Sequence, residues 1–362
     1  GGGCGSLLLE KQSTNLALYS EQIDNAAWTK LRSTISVNNT TSPDGTTNAD
    51  KLESTSSGGA VEIYQNMTLS AISYTASVFM KKGSGNTDMN EFHIYNTGGS
   101  YQAQVNVNFA NGTISQPIGS GATIESFVNG WYRINIPFTG YVGTNYFYVG
   151  SSGKYFPSGQ FVYAWGLQIE ASSYATSYIP TTSISVTRTQ DSASKSGISS
   201  LIGQTEGVLF LDFVWTKVGK TNQSIVLGGA SNFSNTIYLL TTEASGDARF
   251  QLRIGGTALK ANIPTTFVDG TRYKIAMAYK SGDSAFYVNG VSVGTSATSY
   301  GAVSEAISQF VYNWPYGGDE QWCGPINQTI LFPTRLTNDQ LADLTGGNKT
   351  TFNALAEFYG YQ

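Results

Sequence analysis

Short alternating segments, each closed off by a turn, recur along almost the whole of this chain, and that rhythm confines it to β-architecture. Val61-Glu-Ile-Tyr64, Tyr74-Thr-Ala-Ser-Val-Phe-Met80, Phe92-His-Ile-Tyr95, Tyr101-Gln-Ala-Gln-Val-Asn-Val-Asn-Phe109, Tyr132-Arg-Ile-Asn-Ile-Pro-Phe138 and Tyr146-Phe-Tyr-Val149 space apolar residues two apart, which places them on one face of a strand. Pro43-Asp44-Gly45, Gly98-Gly99, Asn111-Gly112, Asn129-Gly130 and Pro157-Ser-Gly159 separate them with residues that enter turns at little cost. The second half resumes with Gly207-Val-Leu-Phe-Leu-Asp-Phe-Val-Trp215, Ile225-Val-Leu227, Ile237-Tyr-Leu-Leu240, Phe250-Gln-Leu-Arg-Ile254, Tyr273-Lys-Ile-Ala-Met-Ala-Tyr279 and Ala285-Phe-Tyr-Val-Asn289-Gly290-Val-Ser-Val293. In the last of these, Asn-Gly supplies the positive φ angles of a two-residue type I′ hairpin turn. Many short strands at this spacing build sandwiches or barrels, so the fold class is all-β.

A chain of 362 residues is long enough for two hydrophobic cores. The boundary between them is marked by Phe161-Val-Tyr-Ala-Trp165-Gly-Leu-Gln-Ile-Glu170. There Phe161, Tyr163, Trp165, Leu167 and Ile169 alternate with smaller or polar residues and predict a strand with one strongly apolar face. Pro180 then biases Ile179 toward an extended backbone, and the Ser/Thr-rich stretch beyond carries too little apolar surface for a core. The expected organisation is a strap or remnant of a preceding region over 1–14, a sandwich over 15–180, a linker or strap over 181–200, and a second sandwich over 201–362. Helix is scarce. Thr337-Asn-Asp-Gln340 fits a capping box ahead of Leu341 and Leu344, with Gly346-Gly347 as the stop. Phe352 to Phe358 is either a second short helix or a tail ordered by a neighbouring subunit.

Composition removes several function classes. Charged residues make up 12%, against roughly a quarter in an average globular protein, while aromatics reach 13%. Such a surface is polar but weakly charged, as in extracellular or virion β-proteins. A net charge of −4 gives no electrostatic footprint for phosphate backbones, so no nucleic acid partner is expected. No run of about twenty apolar residues occurs, so no membrane insertion is expected either. Cys4 and Cys323 lack framework spacing and are expected to be unpaired thiols. The opening Gly1-Gly-Gly-Cys-Gly-Ser-Leu-Leu-Leu-Glu-Lys-Gln lacks the basic and long apolar regions of a signal peptide.

The ordered pieces Asn15-Leu-Ala-Leu-Tyr-Ser-Glu21, Trp28, Ser42-Pro-Asp-Gly-Thr46, Ala49-Asp-Lys-Leu52, Gly130-Trp-Tyr-Arg-Ile134 and Trp165-Gly-Leu-Gln-Ile-Glu170 resemble the carbohydrate-binding-type jelly rolls of bacteriophage tail, fibre and head-decoration proteins. In the second half, Phe286-Tyr-Val-Asn-Gly290 followed much later by Ile330-Leu-Phe-Pro-Thr-Arg-Leu336 resembles a concanavalin A-like or laminin G-like sandwich. The resemblance implies a virion protein, in contact with other virion proteins and with host surface glycans, and a homo-oligomer with a trimer favoured. It also implies that further chain precedes the Gly-Cys turn, so that the first residue marks an internal cut or processing. Related jelly rolls hold a structural Ca²⁺ where first and last strands meet; the oxygen donors here would be Glu21, Asp24, Asp50 and Glu170, completed by backbone carbonyls.

Catalytic residues are not expected. The sole histidine, His93, shares a face with Glu91 and Tyr95 and has no nucleophile motif to serve, so it reads as a solvated or groove-edge side chain. Asp319-Glu320 are neighbours that would point to opposite faces of a strand and cannot easily act as an acid and base pair. The aromatic residues offer more. Tyr95, Tyr101, Trp131, Tyr146 and Tyr148 could line a concave sheet face in the first half, Trp131 being set opposite the apolar row Tyr132, Ile134, Ile136 and Phe138. Trp314, Tyr316 and Trp322 form a second aromatic platform in the loop Trp314-Pro-Tyr-Gly-Gly-Asp-Glu-Gln-Trp322. Sugar rings stack on such surfaces; the competing role of the same side chains is to fill a core or a subunit contact. The leading expectation is a non-enzymatic virion protein displaying weak, multivalent glycan sites. The alternatives are a polysaccharide depolymerase or a purely structural decoration protein.

Overall fold

The computed structural model describes residues 6–346 apart from 57–58, 85–89, 152–157, 230–233, 256, 302, 304 and 316–319. Its strands pair antiparallel throughout the named ladders, and the fold is all-β. The chain divides into two compact units. One is Gln12–Thr189; the other is Gln190 onward together with the residues up to Lys11. The stretch 1–14 is thereby shared. Leu7–Leu9 pairs with Gly324–Phe332 in the second unit, whereas Ser13–Asn15 pairs with Val186–Arg188 in the first. The stretch 181–200 divides likewise, between Thr189 and Gln190. In chain order the first sandwich is thus an insertion within the second. Cys4 and residues 352–358 lie outside the described residues.

The first sandwich opposes two six-stranded sheets. One runs Thr113–Ile118, Tyr101–Asn108, Asn90–Asn96, Gly143–Ser151, Val61–Leu69, Thr29–Leu31, and the other Thr123–Ser126, Trp131–Thr139, Ser73–Ser84, Phe161–Glu170, Ala49–Ser54, Ser33–Thr40. Alternation explains the core: Ile63, Phe92, Ile94, Val105, Phe147 and Val149 from the first sheet meet Val78, Met80, Ile134, Ile136 and Leu52 from the second.

The closing strand departs from simple alternation. Val162 and Ala164 face the core, as do Leu167 and Ile169, so the apolar face changes sides midway. Tyr163 and Trp165 lie on the outer face, against Phe79 and Trp131. The cause is a register shift between Trp165 and Gln168, with Gly166 at φ +63°. One extra residue, accommodated by glycine in the left-handed region, swaps the face of everything after it. The single apolar face read from the sequence is corrected accordingly.

Beyond the bulge a buried polar network fastens both ends of this sandwich. Asn15 Nδ2 donates to the carbonyls of Leu167 (3.1 Å) and Ile179 (2.8 Å), and its Oδ1 accepts the amides of Ala17 (3.0 Å) and Ile169 (3.1 Å). Gln168 Oε1 accepts the Ile179 amide at 2.7 Å, and its Nε2 donates to Glu170 at 2.7 Å. Glu170 also accepts from Ser13 Oγ (2.5 Å), the Thr176 amide (3.0 Å) and the Thr176 hydroxyl.

The second sandwich opposes Leu7–Leu9, Gly324–Phe332, Glu206–Trp215, Thr271–Lys280, Ser284–Val288, Val291–Ser296 to Ser194–Ser196, Gln309–Val311, Asn222–Gly228, Thr236–Thr242, Asp247–Ile254, Thr257–Thr266. The near-continuous apolar run of Glu206–Trp215 is buried on both faces. Leu209, Leu211 and Phe213 enter the inter-sheet core, and Val208 and Phe210 pack under Leu341 and Leu344 of the helix Asn338–Gly346. The expected capping box forms: the Thr337 amide donates to Gln340 Oε1 (2.9 Å) and the Gln340 amide to Thr337 Oγ1 (3.3 Å). Asn289 and Gly290, at φ +47° and +86°, make the expected hairpin turn.

A Cβ on Gly166 would lie 3.0 Å from Phe79 Cδ2 as well as in an unfavourable backbone region. Gly166→Ala is expected to destabilise the first sandwich by about 2 kcal/mol, read from the shift of its denaturant midpoint.

Candidate functional site

Two outer faces of the first sandwich meet different fates, and the difference defines the site. On the sheet containing Gly143–Ser151, Phe147 and Val149 point inward, so Tyr146 and Tyr148 point out. Register then assembles an aromatic surface. Tyr148 stands opposite both Tyr64 and His93, Tyr146 opposite Tyr95, and Tyr95 opposite Tyr101. Ring centroids are 4.8 Å apart for Tyr64 and Tyr148, 5.9 Å for Tyr64 and Tyr146, and 5.1 Å for Tyr95 and Tyr101. Tyr101 is 43% exposed, and the other four tyrosines are half-buried. Tyr95, Tyr101, Tyr146 and Tyr148, singled out from sequence, are therefore brought together. Tyr64 was missed as a member, although its place in the alternating segment Val61–Tyr64 was the signal that could have found it.

Beneath the rings lies a polar floor. His93 stacks on Tyr148 (centroids 4.6 Å apart, planes at 16°) and meets Tyr101 edge-on at 5.2 Å. Its Nδ1 is 2.9 Å from Glu91 Oε1 and 4.0 Å from Glu62 Oε1. Gln104 Nε2 donates to Glu91 Oε1 at 2.7 Å. His93 does share the face of Glu91 and Tyr95, but it is only 5% exposed, which corrects the expectation of a solvated side chain. Flanking tyrosines exclude water from it. Burial, reinforced by the nearby Glu91 charge and opposed by His93, pushes the Glu62 carboxyl up to about 7. Among the described residues, Glu62, Glu91 and His93 are the group of three whose donor atoms all lie within 4.8 Å of one another.

Trp131 is not part of this surface. It does point away from the core, but on the other sheet, where it is fully buried with Ala49, Phe79 and Trp165. The exit loop covers that face: Tyr178 packs on Trp165 at 4.6 Å, and Arg133 Nη2 donates to the Thr176 carbonyl at 2.7 Å. The Trp131 indole N–H donates to the Thr41 carbonyl at 2.9 Å. The second aromatic platform does not assemble as expected. Trp322 is fully buried in the second core, edge-on to Phe213 at 4.7 Å. Trp314 is half-buried with its ring 5.0 Å from Tyr238, and Tyr316 lies outside the described residues.

Glu21, Asp24, Asp50 and Glu170, expected to hold Ca²⁺, form no group of three with donor atoms within 4.8 Å of one another among the described residues. Glu170 is saturated by the network described above. Asp50 is buried and accepts the amides of Ile23 (3.1 Å) and Asn38 (2.9 Å). Glu21 accepts from Asn48 Nδ2 at 3.0 Å, and Asp24 is exposed. Close to Asp24 the carbonyls of Asp24, Asn25 and Trp28 do turn inward together, but they accept from the Lys30 ammonium, at 2.6, 2.5 and 2.8 Å. A tethered cation takes the carbonyls a bound one would need.

Residues 213–342, within the second sandwich, match the family model of the concanavalin A-like lectin/glucanases superfamily. The chain is thus an all-β protein whose second sandwich is similar to that superfamily over those residues. A search of the curated proteins returns no match. Solved structures that match include the native heptameric SAP-like pentraxin of Limulus polyphemus, at 15% identity over 38% of this chain and 68% of that chain, with a TM-score of 0.31. The CBM40 of the Ruminococcus gnavus IT-sialidase matches at 14% identity over 42% and 98%, TM-score 0.35. Domain 4 of AbnA, an extracellular arabinanase of Geobacillus stearothermophilus in complex with arabinotriose, matches at 17% identity over 45% and 73%, TM-score 0.34.

Two outcomes test the electrostatics. Burial raises the Asp50 carboxyl from 3.8 to about 6 in the folded protein. A raised acid is held protonated more tightly folded than unfolded, so its ionisation destabilises above about pH 6, and the penalty is relieved as pH falls toward 3.8. Relative to Asp50→Asn, the wild-type first sandwich should gain roughly 2 kcal/mol between pH 7 and pH 4, measured by denaturant unfolding across that range. Separately, Lys30→Met strips three carbonyls of their donor and should destabilise by about 2 kcal/mol, seen as a lower Tm.

Proposed function

We propose that this chain is a non-enzymatic glycan-binding protein whose ligand lies on the tyrosine face of the first sandwich. The observation that carries the reading is the convergence of Tyr64, Tyr95, Tyr101, Tyr146 and Tyr148 on one outer sheet face, exposed at Tyr101 and backed by polar side chains. Aromatic rims offer the C–H faces of a sugar ring a large contact area, while Gln and Glu side chains supply donors and acceptors for its hydroxyls. The lectin-type family match of the second sandwich supports the same class of ligand.

Binding without cleavage fits the carboxylates. Glu62 and Glu91 lie side by side on the floor of a single sheet, both buried and both against His93. A glycosidase pair must instead flank the scissile bond, with a sugar between them. The weakly charged, aromatic-rich composition supports a place outside the cell, and the phage-type resemblance of the first half supports the surface of a virion. There a homo-oligomer, a trimer in this reading, presents several weak sites at once and gains avidity by effective concentration.

A panel of immobilised glycans and host-type polysaccharides, probed with the intact chain, should reveal weak saturable binding. Tyr101→Ala and Tyr148→Ala should each reduce it roughly three- to ten-fold, the value of one aromatic contact. Release of reducing ends or unsaturated sugars from the bound polysaccharide would overturn the non-enzymatic reading, and undiminished binding by both variants would overturn the location.

A further inference from the structure

We propose that Glu62, Glu91 and His93 form a binding site for one divalent transition-metal ion, zinc above all, set into the floor of the tyrosine face. Nothing in the glycan reading requires such an ion, and the site stands on three independent observations.

Placement is the first. Gly150 is the register partner of both Glu62 and Glu91, so the two carboxylates flank a position that has no side chain. His93 lies two residues beyond Glu91 on the same strand and hence on the same face. A Cβ on Gly150 would fall 2.2 Å from the Val61 carbonyl oxygen and 3.1 Å from Glu62 Cγ, so glycine is what keeps the space between the two acids open.

Donor geometry and chemistry are the second. The separations from His93 Nδ1 to the carboxylate oxygens, 2.9 and 4.0 Å, bracket the edge of about 3.3 Å expected for a tetrahedron with zinc–ligand bonds near 2.0 to 2.1 Å. Two carboxylates and one neutral imidazole carry a charge that a divalent ion offsets. Imidazole favours zinc and the later first-row ions over calcium, which takes six to eight oxygens. Gln104, donating to Glu91 Oε1 at 2.7 Å, orients one ligand as outer partners of metal sites commonly do.

The third is His93 itself. It is 95% buried, and its Nδ1 has no hydrogen-bond partner although Glu91 Oε1 lies 2.9 Å from it. Buried ring nitrogens are almost always satisfied. A buried ring nitrogen this close to two carboxylates, once deprotonated, is satisfied by a cation shared with them.

The test uses the intact chain, freed of metal by chelator and dialysis, at pH 7.5 and without any glycan, so that its result is independent of the proposed ligand. Zinc titrated by calorimetry should bind at one ion per chain. Because the chain has one histidine, the ring resonances of His93 in a proton–nitrogen NMR spectrum should shift with the same stoichiometry, and cobalt should give a visible absorption displaced by zinc. Glu62→Gln and His93→Gln, with folding checked by circular dichroism, should weaken zinc binding roughly 100-fold or more. The assignment is overturned if zinc does not bind saturably to wild type, if it binds while the His93 resonances stay in place, or if folded Glu62→Gln binds it as tightly as wild type.

Discussion

The Asn15, Gln168 and Glu170 network is the constraint on which the first sandwich rests. Asn15 uses both its donors and both lone-pair directions on backbone groups of three segments: its own turn, the closing strand and the exit loop. Glu170 accepts from side chains and backbone on both flanks, so a fully buried carboxyl sits there with both oxygens hydrogen-bonded. A network satisfied at every member fixes one arrangement of the groups it joins, because any displacement strands a buried polar atom. What it joins here are the first strand of an inserted domain, the closing strand of its sandwich and the exit loop, which gives that sandwich its own closure.

From this lock follows the contrast between the two outer faces. Thr176 and Tyr178 are carried by the exit loop, and the network holds that loop down on Trp131, Arg133 and Trp165. That face becomes a second small core. Among the described residues of the first sandwich no loop covers the opposite sheet in that way, and its outward residues include tyrosines in place of aliphatics. The Gly166 bulge belongs to the same design. By reversing the faces it sends Leu167 and Ile169 into the core while Gln168 and Glu170 reach the loop.

Much of this was legible in the sequence. Alternation gave the strands, Asn289-Gly290 and Thr337-Asn-Asp-Gln340 gave the hairpin and the helix cap, and period two alone placed Tyr146 with Tyr148 and His93 with Tyr95. The misreadings have a common physical origin. Alternation tells which residues share a face, but it is silent on what covers that face. Trp131 was correctly set opposite the apolar row and wrongly left open, because burial came from a loop more than forty positions away in sequence. His93 was placed on the right face, yet its surroundings depend on Tyr101 and Tyr148 from neighbouring strands. Gly166 hides its bulge because a glycine in a strand is compatible with either register. Calcium was expected from the family resemblance, whereas the contacts of Lys30 with three backbone carbonyls beside Asp24 are ones that no side-chain pattern displays.

In the proposed reading, the tyrosine face is prepared for binding in a way that a loop site is not. Each ring rests on at least one other aromatic ring, and the two central strands are hydrogen-bonded on both sides, so the surface has little conformational freedom to lose when a ligand arrives. Rigidity without a deep cavity favours ligands that are broad, flat and repeated, for which each contact is weak but the ordering penalty is small. The polar floor is positioned in the same way: Glu62, Glu91 and His93 are held by the sheet itself. Rings and charge cluster share the strands Val61–Leu69 and Asn90–Asn96 on either side of Gly143–Ser151, so one hydrogen-bonded backbone positions both.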